Sequence, residues 1–168
     1  MEFEEKLRDR QRWSAGEACS MAKTLDLLST KTAFLVIREC FYGTTRFEDF
    51  MERVGASAPA VSRAIKQLAA AEIVTRVPYR EPGKRARDEY RLTPAGQDLL
   101  PVFLSLVQWG DKHLQNGQGP LKFVATRTGR NVRVRVTDDP DGTAPGCDDI
   151  EIRFNAASRS ARRPPDPS

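Results

Sequence analysis

Apolar residues recur at helical spacing in five separate stretches of this chain. Met21, Leu25 and Leu28 form the first, just after Cys19 and Ser20. The second, Ala33 to Ile37 continued by Cys40 and Phe41, is apolar almost without a break and halts at Gly43, the pattern of a buried central helix. Phe47, Phe50, Met51 and Val54 fall at i, i+3, i+4 and i+7 ahead of Gly55, an amphipathic helix whose aromatic stripe belongs to a core. In the fourth stretch Ser57 is expected to accept backbone N–H groups as an N-cap, and Pro59 sits in the first turn, where its missing N–H removes nothing. Val61, Ala64, Ile65 and Leu68 then share one inward face, and Ala60, Ser62, Arg63, Lys66 and Gln67 share the other. The fifth opens at Thr93-Pro94 and carries Leu99, Leu100, Val102, Phe103, Leu106, Val107, Trp109 and Leu114, more than one stripe, with Pro101 expected to kink it. A helix apolar on several sides needs more burial surface than a small domain offers, which suggests a second copy of the chain; packing within the monomer against residues 1–18 is the alternative.

Between the fourth and fifth helices the period changes. Ile73, Val74, Val77 and Tyr79 make a strand-prone run ending near Pro82, and Tyr90 to Leu92 begins a return run after Gly83 to Asp88. The hairpin tip is basic: Arg76, Arg80, Lys84, Arg85, Arg87 and Arg91 stand against Glu81, Asp88 and Glu89. A short helix with small residues and polar groups on its outer face, followed at once by a basic hairpin, describes a winged helix-turn-helix and points to duplex DNA. The tip suits a phosphate backbone or minor groove, where neutralised phosphates release counterions. A solvated polar helix face and a solvated loop remain the plainer readings of either piece alone.

Past the fifth helix, residues 116–120 read as a linker. The runs Leu121 to Thr126, Asn131 to Thr137 and Ile150 to Phe154 alternate as half-buried strands do. Thr128 to Asn131 is a hairpin turn, and Asp138 to Asp149 is a loop rich in Pro, Gly and Asp. Val132, Val134 and Val136 share one face and Arg133 and Arg135 the other; an anion site and a solvated strand face are both open for these arginines. Residues 156–168, rich in Arg, Pro and Ser, have the composition of a disordered tail. The expected organisation is an N-terminal arm (1–18), a winged helix-turn-helix domain with a dimerisation helix (19–115), a β-rich extension (116–155) and the tail (156–168). The fold class is α+β, mainly α.

Composition narrows the function classes. At 168 residues and 39% hydrophobic, the chain suits one compact domain with appendages. Lys plus Arg number 27 against 23 Asp plus Glu, a net charge of +4 that permits an anionic partner without requiring one. No apolar run is long enough to span a bilayer and MEFEEKLRDRQR lacks a signal-peptide core, so a soluble, cytoplasmic protein with no membrane partner is expected. Three widely spaced cysteines do not make a disulfide framework. The single histidine, His113, has Asp111 two residues away, the wrong spacing for joint metal ligation on a helix, and no phosphate-binding glycine loop occurs. No enzyme activity, metal or cofactor is expected.

A further set of residues forms a recognisable pattern: Cys19, Ala22, Leu25-Asp26-Leu27-Leu28, Lys31, Ile37-Arg38-Glu39, Gly43, Arg46-Phe47, Ser57, Leu68, Ile73-Val74, Arg76, Tyr79, the run Glu89 to Gly96, Leu99-Leu100-Pro101 and Trp109-Gly110. On these residues the stretch from Cys19 to Leu114 resembles the HxlR-type branch of winged helix-turn-helix transcriptional regulators, related in architecture to the MarR type. The resemblance implies a homodimer whose recognition helices enter successive major grooves of double-stranded DNA about 34 Å apart, on a two-fold-related operator. Ser57, Ala60, Ser62, Arg63 and Lys66 would meet the major groove, and Arg80, Lys84, Arg85 and Arg87 the flanking backbone or minor groove. Repression by occlusion is the expected mode. In several members of the family a cysteine at the place of Cys19 senses oxidants or electrophiles, so Cys19 is a candidate sensor for an unidentified small-molecule or redox effector; a small buried hydrophobe is the bland reading. Cys40 should be inert. Three positions depart from the pattern. Thr32 stands for a usual Trp, Glu72 for a usual Gly where the chain turns into the wing, and Ala64 for a usual basic residue. A rival reading is a protein-interaction module whose basic surface docks an acidic partner.

Overall fold

The computed structural model describes residues 4–5, 8–9, 11, 16–80, 82–83, 85–136 and 145–155. Helices α1 (Ser20–Leu27), α2 (Lys31–Phe41), α3 (Phe47–Val54) and α4 (Ala58–Ala70) precede a hairpin of β1 (Val74–Tyr79) and β2 (Arg87–Leu92). Then come α5 (Pro94–Gln97), α6 (Leu100–Leu114), β3 (Leu121–Ala125) and β4 (Ile150–Phe154). The architecture is α+β and mainly α, a winged helix-turn-helix.

The core forms where the apolar faces of α2, α3 and α4 meet. Thr30 starts α2 by accepting the Ala33 N–H at 3.1 Å, and the helix buries Ala33, Val36 and Ile37. Phe50 from α3 and Val61, Ile65 and Leu68 from α4 close around them with almost no solvent exposure. Glu39 is also buried, and its carboxylate accepts from Arg38 at 2.6 and 3.0 Å and from the Thr44 hydroxyl at 3.2 Å. Arg53 of α3 reaches the same Thr44 hydroxyl at 2.8 Å. A buried carboxylate is tolerated when paired and hydrogen-bonded in this way, and the network ties α2 to α3.

From α4 the chain enters the wing through Glu72, at φ 57°. The left-handed turn that favours glycine is made here by a residue with a Cβ. It is held from both sides: the Ile73 N–H donates to the Leu68 carbonyl at 2.9 Å, and the Thr93 hydroxyl donates to the Glu72 carbonyl. β1 and β2 pair antiparallel from Val74 opposite Leu92 to Tyr79 opposite Arg87. Gly96 of α5 lies against this base, where a Cβ would fall 2.2 Å from the Ile73 carbonyl oxygen.

Two expectations are corrected. The fifth helical stretch is two helices, and Pro101 lies in the first turn of α6, where a missing N–H starts a helix rather than kinking one. In the extension β3 pairs antiparallel with β4 from Leu121 opposite Phe154 to Ala125 opposite Ile150, but the run after Asn131 is no strand. It makes one bridge, Asn131 to Val124, and one further bond, Val132 N–H to the Phe123 carbonyl at 2.8 Å. Val134 then turns to α6, whose Gln108 amide takes both its N–H and its carbonyl, each at 3.2 Å. A side-chain amide substitutes for the strand partner. Gly129, at φ 66°, makes the expected turn, its N–H donating to the Ala125 carbonyl at 2.8 Å. The tail of residues 156–168, Thr137 and most of the arm of residues 1–18 lie outside the described residues. No helix among the described residues is long and apolar enough to cross a membrane.

Phe103 joins the two regions. Its ring stacks on Phe41 at 5.1 Å and meets Tyr42 and Phe123 edge-on at 5.9 and 5.7 Å.

Candidate nucleic-acid interface

α4 turns Val61, Ala64, Ile65 and Leu68 inward, which leaves Arg63 and Lys66 exposed and Ala60 and Ser62 half-buried. Ser57 adopts the N-cap conformation, φ −63° and ψ 148°, yet its hydroxyl makes no capping bond. The reason is local. Pro59 has no N–H to give, and the Ala60 and Val61 N–H groups go to the Ser57 carbonyl at 2.9 and 3.0 Å. The expected side-chain cap is therefore absent, and an exposed hydroxyl stands at a helix start whose dipole favours an anion.

One residue of this helix works differently from the sequence reading. Gln67 is not a groove residue: its amide donates to the Leu27 and Asp26 carbonyls at 2.6 and 3.5 Å, closing the end of α1. Ala64 is 3% exposed and belongs to the core, so a basic side chain there would have to displace packing.

In the wing, Arg76, Arg80, Arg85, Arg87 and Arg91 are exposed; Lys84 lies outside the described residues. Arg87 reaches Glu48 of α3 at 2.9 Å, both side chains more than half exposed. Such a pair is weak and screened by salt, so the guanidinium can exchange its carboxylate for a phosphate. The sequence reading gave Arg46 no role in the site. At the N-cap of α3 its guanidinium lies over the Tyr79 ring, 4.8 Å from the centroid, and 3.9 Å from Glu89. Arg46 also bridges Glu89 through the backbone, and the Thr45 carbonyl accepts the Tyr90 N–H at 2.8 Å. The segment before α3 is thus a short third edge of the wing, and it ties α3 to the hairpin. The adjacency of Arg46 to Phe47 showed a helix start, but pairing with residues 43 positions onward carries no local signal.

Cys19 is half-buried at the N-cap of α1, its carbonyl accepting the Lys23 N–H at 3.1 Å. The Cys40 thiol is pushed up to about 12 by burial and, secondarily, by the charge of Glu39. Burial and then Asp148 also raise Cys147. No group of three His, Cys, Asp or Glu among the described residues could hold a metal ion.

On the side of α6 away from the core, Val102, Leu106 and Trp109 are 43%, 53% and 58% exposed. Met21 and Leu25 of α1 and Leu114 at the end of α6 are exposed as well. A groove of about 240 Å³ between α2 and α6, lined by Leu28, Phe34, Leu35, Leu99, Val102 and Leu106, opens beside them.

Comparison with known proteins agrees with this geometry. The uncharacterized HTH-type transcriptional regulator Rv3095 of Mycobacterium tuberculosis is 36% identical over 104 residues, 62% of this chain. The chain spans 65% of that relative's length. The crystal structure of PA1607 superposes with a TM-score of 0.65 at 24% identity, over 83% of this chain and 96% of that one, a likeness of fold. The redox regulator HypR in its oxidized form superposes with a TM-score of 0.51 at 26% identity, over 56% of this chain and 97% of that one. The model of the HxlR-like helix-turn-helix matches residues 27–118. That match runs from the end of α1 past the end of α6 and takes in more than half of the chain, which makes this protein a member of the HxlR-like helix-turn-helix family.

Proposed function

We propose that this protein is a DNA-binding transcriptional regulator, a homodimer that represses by covering a two-fold-related operator in the cytoplasm. One observation carries the reading: α4, with Arg63 and Lys66 exposed, runs through the Glu72 turn, held by the Ile73–Leu68 bond, into a basic hairpin that α3 braces through Arg46, Tyr79 and Glu89. Small residues at Ala58 and Ala60 allow the start of α4 to approach a groove. The Ser57 hydroxyl is available to a phosphate, and Arg63, Lys66 and Ser62 to base edges or backbone. Arg80, Lys84, Arg85 and Arg87 supply the sequence-independent share of affinity along the flanking backbone. The relatives' description as HTH-type transcriptional regulators supports the same role.

The apolar stripe of Val102, Leu106 and Trp109, together with the exposed Met21 and Leu25 of α1, supports the dimer, because a monomer in water gains nothing by exposing them. Cys19 is the proposed sensor of an oxidant or electrophile; its place at the start of α1, whose Met21 and Leu25 are exposed, would let its modification reach the dimer, and the similarity to a redox regulator supports it.

Selection from a random duplex library tests the proposal. The expected product is an enriched two-fold-related motif with half-sites about one helical turn apart. Salt-sensitive binding with no motif would instead favour the module that docks an acidic protein.

A further inference from the structure

Between α6 and the β extension lies a cavity of about 560 Å³, within the size range of small-molecule sites. It is not slack left by a loosely docked hairpin, because the extension is tied to α6 at two points around it and closed on itself at a third. Gln108 holds both backbone groups of Val134. Asn155, 7% exposed, donates its amide to the Gly119 carbonyl at 2.8 Å, and its N–H goes to the Pro120 carbonyl at 2.9 Å. The Phe123 ring sits edge-on to Phe103.

The walls are chemically lopsided. Leu104, Val107, Leu121, Phe123 and Val132 supply an apolar body. Lys112, Lys122 and Arg133 line the cavity, and none of them has an ion-pair partner among the described residues. One acid, Asp111, shares the wall, its carboxylate lying against Gly119, where a Cβ would overlap it. Register adds a second argument. β4 places Arg153 directly opposite Lys122, while Arg133 follows the Val132–Phe123 bond on the other side of β3. Like charges directly across strands repel, and Arg153 alone of the three is answered, by Glu151 at 2.7 Å.

We propose that this cavity binds a small organic anion, a carboxylate or phosphate monoester on an apolar body, with its charge at Lys122 and Arg133 and its body on Leu104, Val107 and Phe123. The ligand answers the unpaired cations and covers the apolar residues of the wall. This site is separate from α4 and the wing and does not depend on the DNA reading.

Isothermal titration calorimetry of the full chain at fixed ionic strength tests it, with 4-phenylbutyrate and phenyl phosphate as probes and 4-phenylbutyramide and inorganic phosphate as controls. At least one probe should bind at one site per chain, and whichever is tighter identifies the head group. Both controls should bind at least about tenfold more weakly, one lacking charge and the other the apolar body. The Lys122→Gln/Arg133→Gln double variant, altered only at exposed side chains, should keep its melting temperature and its duplex binding while the probe Kd rises about tenfold or more. Equal binding of the amide, an unchanged Kd in the double variant, or no heat from either probe at millimolar concentration would overturn the assignment. Heat is read on the protein itself, so a failed operator selection leaves this result intact.

Discussion

Around α2 and α4 the side chains of Val36, Phe50, Val61, Ile65 and Leu68 are sealed from solvent, whereas α6 buries Leu104 and leaves Val102, Leu106 and Trp109 open along its far side. Both regions come from equally apolar stretches of sequence. The first satisfies itself, because three helices and the wing base meet at one centre; the second has only Phe103 and the β extension to lean on. Burial within one chain therefore accounts for the first region and not for the second, and a second copy is the proposed completion.

The largest effect should come from the sealed half. Phe50→Ala removes a fully buried ring that also meets Tyr90 edge-on at 6.4 Å, and should cost about 3–5 kcal/mol of unfolding free energy in urea titration. Val124, 4% exposed in the extension, offers the contrast: if Val124→Ala lost as much, the two regions would be one cooperative unit and the comparison would fail.

The open half predicts a different loss. Leu106→Asp and Trp109→Asp place a charge on the exposed stripe, where the monomer has nothing to lose but an interface does. Sedimentation should find folded monomers, which melt below the dimer because association no longer stabilises the fold. Operator affinity should fall by about 30-fold or more, the size of an interfacial hot spot near 2 kcal/mol. Dimers that persist in both variants would remove the stripe from the interface.

Within the DNA-facing surface the comparison is between helix and hairpin. Arg63→Ala should cost about 1–3 kcal/mol on the selected operator and much less on random duplex, if the guanidinium reads a base. Arg85→Ala should weaken both alike and flatten the salt slope by about one unit. Titrations against both duplexes at several salt concentrations decide it, and equal losses for Arg63→Ala would move that residue from base to backbone.

How legible this was in the sequence depended on range. The inward faces of α2, α3 and α4 were readable because i, i+3, i+4 spacing is local. The strain at Glu72 was readable because a departure from glycine at one turn has one conformational meaning. What escaped was set by contacts between distant segments. The alternation from Val132 to Val136 is that of a strand, but Gln108 on another element captured Val134 before a ladder could form. Gln67 looked like a groove residue by its position on the helix, and the open carbonyls at the end of α1 took it instead. The same holds for Arg46, whose place at the wing base follows from the approach of α3 to the hairpin, and for the opposition of Lys122 to Arg153, which needs a register.

The cysteines give the smallest and most local test of the contrast between the halves. Cys40 lies in the sealed region with its thiol pushed up to about 12 from an ordinary 9.0. A group whose folded pKa is raised contributes stability fully present below its unfolded pKa and lost as pH climbs toward the folded value, because the unfolded chain ionises first. The window is therefore pH 9 to 12, and within it the contribution should shrink by about 1.4 kcal/mol per pH unit. Every other titrating group is common to the wild type and to Cys40→Ala, so the difference between their unfolding free energies isolates the thiol. Urea titrations at pH 8, 9 and 10 should find that difference narrowing by about 1.4 kcal/mol in all, about 1 kcal/mol of it between pH 9 and 10. A constant difference through pH 10 would mean that the Cys40 thiolate is no worse off inside the folded protein than in water, and that the centre around α2 is more open to solvent than its packing implies.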